Sequence, residues 1–141
     1  WLRDASGEDF TTVALMREPV DWLRSWYRFR RSEDAGPTAS EMAHMNFEHF
    51  VESYLSDDPE PYARVGTQSE FLTLDGKPGV DQIFRYEDMA NFLSFMESRL
   101  HCAITLPRIN VPPAAETPMS PQLAARLAEK LAVDNALYAS L

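Results

Sequence analysis

Cysteine is almost absent from this sequence, since Cys102 is the only one among 141 residues. A single thiol cannot form an internal disulfide, so stability must come from packing, and a reducing, cytoplasmic location is favoured. No stretch approaches the roughly 18 consecutive apolar residues that a membrane span needs, and no secretory signal peptide is visible. These absences predict a chain without a membrane span.

Basic residues are also scarce: 13 Lys plus Arg stand against 22 Asp plus Glu, for a net charge of −9. That balance argues against a general nucleic-acid binder, which needs a basic surface for the phosphate backbone. A local anion site stays compatible with it, because a few well-placed cations can dominate a cleft. The 45% hydrophobic content and the length favour one folded domain over a disordered chain.

Phosphate loops and metal-ligand clusters are missing as well. No Gly-x-x-x-x-Gly-Lys-Ser/Thr segment occurs among the five glycines. His101 and Cys102 have no further ligand at suitable spacing, so we expect no metal. His44 and His49 lie near a predicted surface helix and are weak candidates for a general base.

Two apolar segments, each leading into an amphipathic helix, set the fold class. Residues 11–16 and 80–86 are predicted strands, and helices are predicted over 20–30 and from Met89 to Leu100. Strands that alternate with helices indicate an α/β domain with a parallel sheet. We treat residues 1–141 as a single domain. Because two strands do not make a stable sheet alone, we expect further strands upstream of Trp1.

The end of the first predicted strand carries the residues that point to chemistry. Arg17 follows the strand directly, Pro19 marks a helix start, and Ser25 lies two turns along that helix. In open α/β sheets, ligands bind at the carboxyl ends of the strands. A guanidinium offers a planar charged fork to phosphate oxygens, a serine adds a hydroxyl, and the helix start adds positive potential. Arg17 and Ser25 therefore form a candidate phosphate clamp.

This segment, Arg-Glu-Pro-Val-Asp-Trp-Leu-Arg-Ser-Trp-Tyr, resembles the 3′-phosphate-binding motif of sulfotransferases. That motif has an Arg-Asp/Glu-Pro element, then a serine eight residues after the arginine, and Arg17 and Ser25 match its two ligand positions. Further segments resemble the carbohydrate-type and bacterial branch of the family. They are Gln68 with Phe71-Leu72, residues 80–87 ending in Arg-Tyr-Glu, the Pro-x-x-Asn element at 107–110, and the helical region from Ser120 to Tyr138.

The resemblance implies a P-loop-like, three-layer α/β/α fold, of which this chain carries the C-terminal portion with its helix-rich tail. It implies transfer of a sulfuryl group from 3′-phosphoadenosine 5′-phosphosulfate to a hydroxyl or amine acceptor, without a metal. The acceptor would be a small molecule or a carbohydrate. The family's loop for the 5′-phosphosulfate, Pro-Lys-Ser/Thr-Gly-Thr-Thr, is absent here, so we expect it and the catalytic residues upstream of Trp1.

Other interpretations of the same residues remain open. Arg17 could be a strand-end arginine paired with Glu18 or Glu87. Arg85 and Glu87 fit a structural ion pair, and Asn110 fits a loop amide. The whole chain could be a truncated, non-catalytic domain that binds a nucleotide or a protein partner. A kinase or another P-loop nucleotide enzyme is a third interpretation, without a supporting motif.

The first predicted helix raises two further questions. Trp22 and Trp26 are four residues apart and share a helix face, which favours core packing over stacking on a ligand. Arg24, Arg28 and Arg31 form a basic stripe that fits either a solvated face or an attraction for an anionic donor or acceptor.

Overall fold

The computed structural model describes residues 10–32, 36–107 and 116–141, which form a mixed α/β structure dominated by helices. Four short strands are present in this part: β1 (Val13–Met16), β2 (Thr73–Leu74), β3 (Lys77–Pro78) and β4 (Gln82–Arg85). The α-helices of this part are α1 (Pro19–Arg30), α2 (Pro37–Met42), α3 (Phe47–Leu55), α4 (Gln68–Leu72), α5 (Met89–Leu100), α6 (Pro121–Lys130) and α7 (Ala132–Ala139). Short 3-10 helices lie at Pro61–Ala63 and Tyr86–Asp88.

The two predicted main strands pair in parallel, as expected. Val13 lies opposite Gln82 and Met16 lies opposite Arg85. Strand β1 has the predicted carboxyl end, whereas β4 is shorter than the predicted 80–86. It starts late because the backbone before it turns toward Thr12: the Asp81 carboxylate accepts from the Thr12 amide and hydroxyl, at 2.7 Å each.

Strand β1 gives way to α1 through a proline and a carboxylate. Pro19 occupies the first helical turn, where a missing N–H costs nothing. The Glu18 carboxylate accepts from the amides of Val20, at 3.2 Å, and Asp21, at 2.7 Å. The cap explains why the helix starts at Pro19, one residue before the predicted start.

The main core lies between helices. Leu23 and Tyr27 form the buried face of α1, and the Tyr27 ring packs 5.4 Å from Phe47 and 5.7 Å from Phe50, both fully buried in α3. Helix α6 and the residue that follows it cover the same core with the predicted leucines Leu123, Leu127 and Leu131. Its predicted Ser120 cap is present, with the hydroxyl accepting from the Leu123 amide.

A smaller apolar cluster joins α5 to the sheet. Phe84 of β4 packs 5.6 Å from Phe92 and 5.1 Å from Phe95. No residue of α5 is fully buried, so this helix covers the strands without being enclosed itself. His101 ends the helix in the left-handed conformation, at φ 54°.

Residues 62–74, which carry no clear sequence pattern, contain α4 and, directly after it, β2. Thr67 and Glu70 form a reciprocal capping box at its start. Within the predicted turn at 75–79, Asp75 and Gly76 form a tight two-residue turn between β2 and β3, with positive φ angles of 51° and 73°. Over the described ranges, no helix combines the length and the apolar content needed to cross a membrane.

Candidate functional site

Arg17, the predicted ligand of the phosphate, lies at the edge of the sheet where the parallel strands β1 and β4 both end. Met16 pairs with Arg85 at the ends of β1 and β4. The next residues after the two strands, Arg17 and Tyr86, therefore leave the sheet side by side. The guanidinium of Arg17 lies over the Tyr86 ring, 5.0 Å from its centroid. Tyr86 is 45% exposed, so this edge of the sheet is open to solvent. The sequence did not single out Tyr86 as a neighbour of Arg17.

Arg17 pairs with Asp21, one turn into α1. Its Nε donates to Asp21 Oδ2 at 2.7 Å, and its Nη2 lies 2.5 Å from the same oxygen. The alternative interpretation, a pair with Glu18 or Glu87, is therefore wrong about the partner. The i, i+4 spacing is the signal that could have found Asp21. Three of the five guanidinium N–H groups stay without an acceptor in the described part of the chain, and the side chain is 26% exposed.

The start of α1 contributes less to the site than the sequence suggested. Pro19 has no N–H, and the amides of Val20 and Asp21 already donate to the Glu18 carboxylate. The first-turn N–H groups, which carry the positive end of a helix, are thus used internally. An anion at this edge depends on side chains rather than on the helix start.

Ser25 lies one turn beyond Asp21 on α1. Residues four apart lie on the same helix face, so Ser25 shares a face of α1 with Asp21, which pairs with the Arg17 guanidinium. Ser25 is half-buried, and within the described ranges its hydroxyl makes no hydrogen bond. Arg17 and Ser25 thus both carry donors without acceptors in the described part of the chain, and each lies four residues from Asp21 in sequence.

The backbone of Arg17 is held by a side chain from a distant part of the chain. Gln68 Oε1 accepts from the Arg17 amide at 2.9 Å, and Gln68 Nε2 donates to the Arg17 carbonyl at 2.8 Å. The amides of Gln68 and Ser69 donate in turn to the two carboxylate oxygens of Asp134, at 2.9 Å each. Asp134 is only 1% exposed. Gln68 was noticed in the sequence only through the family resemblance, and Asp134 was not noticed as a site residue.

The next residue, Glu18, is held in a similar way. Its amide donates to Glu87 Oε1 at 3.0 Å, and the Tyr138 hydroxyl donates to Glu87 Oε2 at 2.8 Å. Desolvation alone would raise the pKa of Glu87. The hydrogen bonds from Glu18 and Tyr138, together with the positive charge of Arg17, outweigh it and lower that pKa. Glu87 is therefore a carboxylate at neutral pH.

The expected ion pair between Arg85 and Glu87 is not formed. Arg85 lies over the Tyr138 ring, 4.8 Å from its centroid, and donates to the Tyr138 carbonyl at 3.2 Å. Desolvation and the hydrogen bond to Glu87 raise the pKa of Tyr138, which keeps its hydroxyl protonated. Tyr138 thus connects both residues, and the prediction of a direct pair was wrong.

The basic stripe on α1 divides into two parts. Arg31 has a structural role, donating to the Met45 carbonyl at 2.9 Å and to the Tyr27 hydroxyl at 2.6 Å. Arg24 and Arg28 are half-buried, and their Nε atoms are shielded from solvent without a hydrogen-bond partner. They leave positive charge on the helix that carries Ser25.

Trp22 and Trp26 pack edge to face at 6.2 Å and lie half-buried against the main core. The prediction of core packing is confirmed. His44 and His49 are exposed, and neither side chain is hydrogen-bonded in the described ranges. Over the same ranges no group of three or more His, Cys, Asp or Glu side chains is placed to hold a metal ion. Asn110 lies outside the described residues.

A separate cavity of about 280 Å³ is lined in part by Tyr54, Gly66, Glu70 and Lys130. None of the residues at the strand edge lines it. Comparisons with protein-family models, with curated proteins and with solved structures find no match for this chain.

Proposed function

We propose that this chain is the part of a sulfotransferase that binds the 3′-phosphate of 3′-phosphoadenosine 5′-phosphosulfate, with Arg17 and Ser25 as the ligands. One observation carries the proposal. The Arg17 guanidinium, with unused N–H groups, pairs with Asp21 beside the end of two parallel strands, and the Ser25 hydroxyl, which has no partner in the described ranges, lies one helical turn beyond Asp21. The proposal includes the larger three-layer α/β/α fold, in which β1 and β4 would be two strands of a wider sheet.

The location supports a ligand site of this kind. Carboxyl ends of adjacent parallel strands border the crevice where open α/β sheets bind ligands. Both strands end there, β1 at Met16 and β4 at Arg85. Arg17 is the first residue beyond β1, so its side chain leaves the backbone at the edge where both strands end.

The chemistry supports an oxyanion with several negative oxygens. Arginine stays charged at any physiological pH and presents paired N–H groups that match phosphate geometry. Asp21 takes two of these groups and fixes the plane of the guanidinium. The remaining N–H groups can then donate to one phosphate oxygen or two. Ser25 adds a neutral donor on α1, about one turn beyond Asp21.

The reaction would transfer the sulfuryl group in line from the donor to a hydroxyl or amine. The bond between the sulfur and the bridging phosphate oxygen breaks, a new bond forms between sulfur and the acceptor atom, and 3′-phosphoadenosine 5′-phosphate leaves. Such transfers depend chiefly on positioning and on stabilising charge. Arg17 and Ser25 would fix the register of the donor without touching the bond that breaks. A small-molecule or carbohydrate acceptor fits this reaction.

The test is calorimetric titration with two nucleotides that differ in the 3′ group. 3′-Phosphoadenosine 5′-phosphate carries it, and adenosine 5′-phosphate lacks it. A hydrogen bond to a charged group contributes roughly 1.5–3 kcal/mol. Arg17→Ala should therefore lower the affinity for 3′-phosphoadenosine 5′-phosphate about 10- to 100-fold. Ser25→Ala should weaken it less, because its donor is neutral. Neither change should affect adenosine 5′-phosphate.

Arg126→Ala is the matched control, since it removes one positive charge from an exposed position on α6. It should leave both affinities unchanged. If the wild-type protein binds the two nucleotides with equal affinity, or if Arg17→Ala lowers both affinities by the same factor, Arg17 is not a ligand of the 3′-phosphate.

A further inference from the structure

We propose that helix α7 holds the anion-binding end of β1 in place, with Gln68 and Asp134 as positioning residues for Arg17. The ligand in this inference rests on the proposed function, whereas the positioning itself does not. We call the chain of contacts from Asp134 through Gln68 to Arg17 the Gln68 bridge.

The Gln68 bridge grips the backbone rather than the side chain of Arg17. Both the N–H and the C=O of Arg17 are bonded to the single carboxamide of Gln68, at 2.9 Å and 2.8 Å. A side-chain amide used in this way replaces the peptide of a neighbouring strand. With donor and acceptor both engaged, the backbone at Arg17 cannot rotate without breaking two hydrogen bonds, and this fixes the direction in which its side chain leaves the strand.

Asp134 fixes Gln68 in turn. Its two carboxylate oxygens accept separately from the amides of Gln68 and Ser69. Asp134 is 1% exposed and forms no ion pair within the described ranges. Burying an unpaired carboxylate is costly, and these amide bonds are its compensation. A fold that needed only to start the short helix α4 could use a local cap such as Thr67, which is already present.

A second bridge from the same helix supports this inference. Tyr138 lies one turn after Asp134 on α7, so the two side chains share a helix face. Tyr138 donates to Glu87, and Glu87 accepts from the Glu18 amide. Two consecutive residues at the strand end are thus each tied to α7 through one intermediate side chain. We call this second chain of contacts the Glu87 bridge.

The functional consequence is a dependence of anion affinity on residues that never touch the anion. A charged hydrogen bond weakens when its donor is displaced, and the tip of an arginine amplifies any rotation of its backbone. Gln68→Met keeps the length of the side chain and removes both bonds. We expect it to lower the affinity for 3′-phosphoadenosine 5′-phosphate by about three- to tenfold, a smaller loss than that expected for Arg17→Ala, which removes the cation.

The experiment measures backbone amide hydrogen exchange by NMR beside nucleotide affinity, in the intact protein. Gln68→Met should speed exchange at the Arg17 amide by about tenfold or more, while core amides such as Leu127 keep their rates. Gln122→Met, on an exposed position of α6, is the matched control. Tyr138→Phe removes only the hydroxyl of the Glu87 bridge and should speed exchange at the Glu18 amide.

Three results would each decide a different point. Unchanged exchange at Arg17 in Gln68→Met would overturn the inference. Faster exchange with an unchanged preference for the 3′-phosphorylated nucleotide would overturn the positioning role and leave the proposed function standing. A wild-type protein without that preference would overturn the proposed function, and the exchange rates would still decide whether Gln68 holds Arg17.

Discussion

Replacing Asp21 with asparagine should tighten the binding of the 3′-phosphorylated nucleotide. Asp21 lies 2.5 Å from the Arg17 guanidinium, with side-chain exposures of 33% for Asp21 and 26% for Arg17. In the free protein this carboxylate is the counter-ion of the arginine. When a phosphate binds to the remaining N–H groups, the same carboxylate is a like charge beside the ligand. Asp21→Asn keeps the shape of the side chain and removes that repulsion.

The size of the effect follows from the distances. A phosphate on the far side of the guanidinium would lie about 6 Å from the Asp21 carboxylate, given charged hydrogen bonds of ordinary length. For a phosphate of charge near −2 in a solvent-like dielectric, the repulsion is roughly 1.4 kcal/mol, or about tenfold in affinity. Losing the charged bond that orients Arg17 offsets roughly 0.5–1 kcal/mol of this gain at an exposed pair. The net gain is roughly 0.4–0.9 kcal/mol, so we expect affinity about two- to fivefold higher.

The assay is the same calorimetric titration, at low and at moderate salt. The gain in Asp21→Asn should shrink as salt rises, because screening reduces the repulsion. Glu129→Gln, at an exposed position on α6, is a control for the change in net charge. If Asp21→Asn weakens binding as much as Arg17→Ala does, the reasoning is refuted: Asp21 would then be needed to orient the arginine, and its charge would not oppose the ligand.

Two further predictions concern stability. Gly66→Ala should lower the free energy of unfolding, measured in urea, by more than Gly76→Ala does. Both glycines have positive φ, but only at Gly66 would an added Cβ lie too close to another group, 2.6 Å from the Glu70 carboxylate that closes the capping box. Equal losses of stability in the two variants would contradict this prediction. Because the fold lowers the pKa of Glu87, its carboxylate stabilises the folded protein at pH values above the ordinary carboxyl pKa. This contribution is lost as the pH falls through the lowered pKa. Glu87→Gln should therefore be less stable than wild type at pH 7, with a difference that narrows on acidification, and a constant difference would show that the titration of Glu87 does not matter.

Local features of the fold could be predicted because their signals are local. The apolar, β-branched segment ending at Met16 and the proline at position 19 define the carboxyl end of β1 and the start of α1 within a residue. Ser120 before Pro121 defines the start of α6 for the same reason, since a hydroxyl cap and a proline act on the first turn alone. The Asp75-Gly76 turn follows from the φ angles that those residues tolerate.

The support of the candidate site could not be predicted in the same way. Gln68 is 51 residues from Arg17 in sequence, and Asp134 is 66 residues from Gln68. A single side-chain amide leaves no periodic pattern, and a buried aspartate looks like a surface one until the fold encloses it. Asp21 is different, because its i, i+4 spacing from Arg17 is visible in the sequence and predicts the observed pair.

The most direct test of the 3′-phosphate site is ³¹P NMR of bound 3′-phosphoadenosine 5′-phosphate, in which the two phosphates give separate signals. A fixed guanidinium favours the doubly charged phosphate, so the 3′ signal should titrate at lower pH in the complex than in the free nucleotide. Arg17→Ala should abolish that difference, while Arg126→Ala keeps it. A bound 3′-phosphate that titrates as in free solution, or that titrates identically in wild type and Arg17→Ala, would contradict the assignment of Arg17 as its ligand.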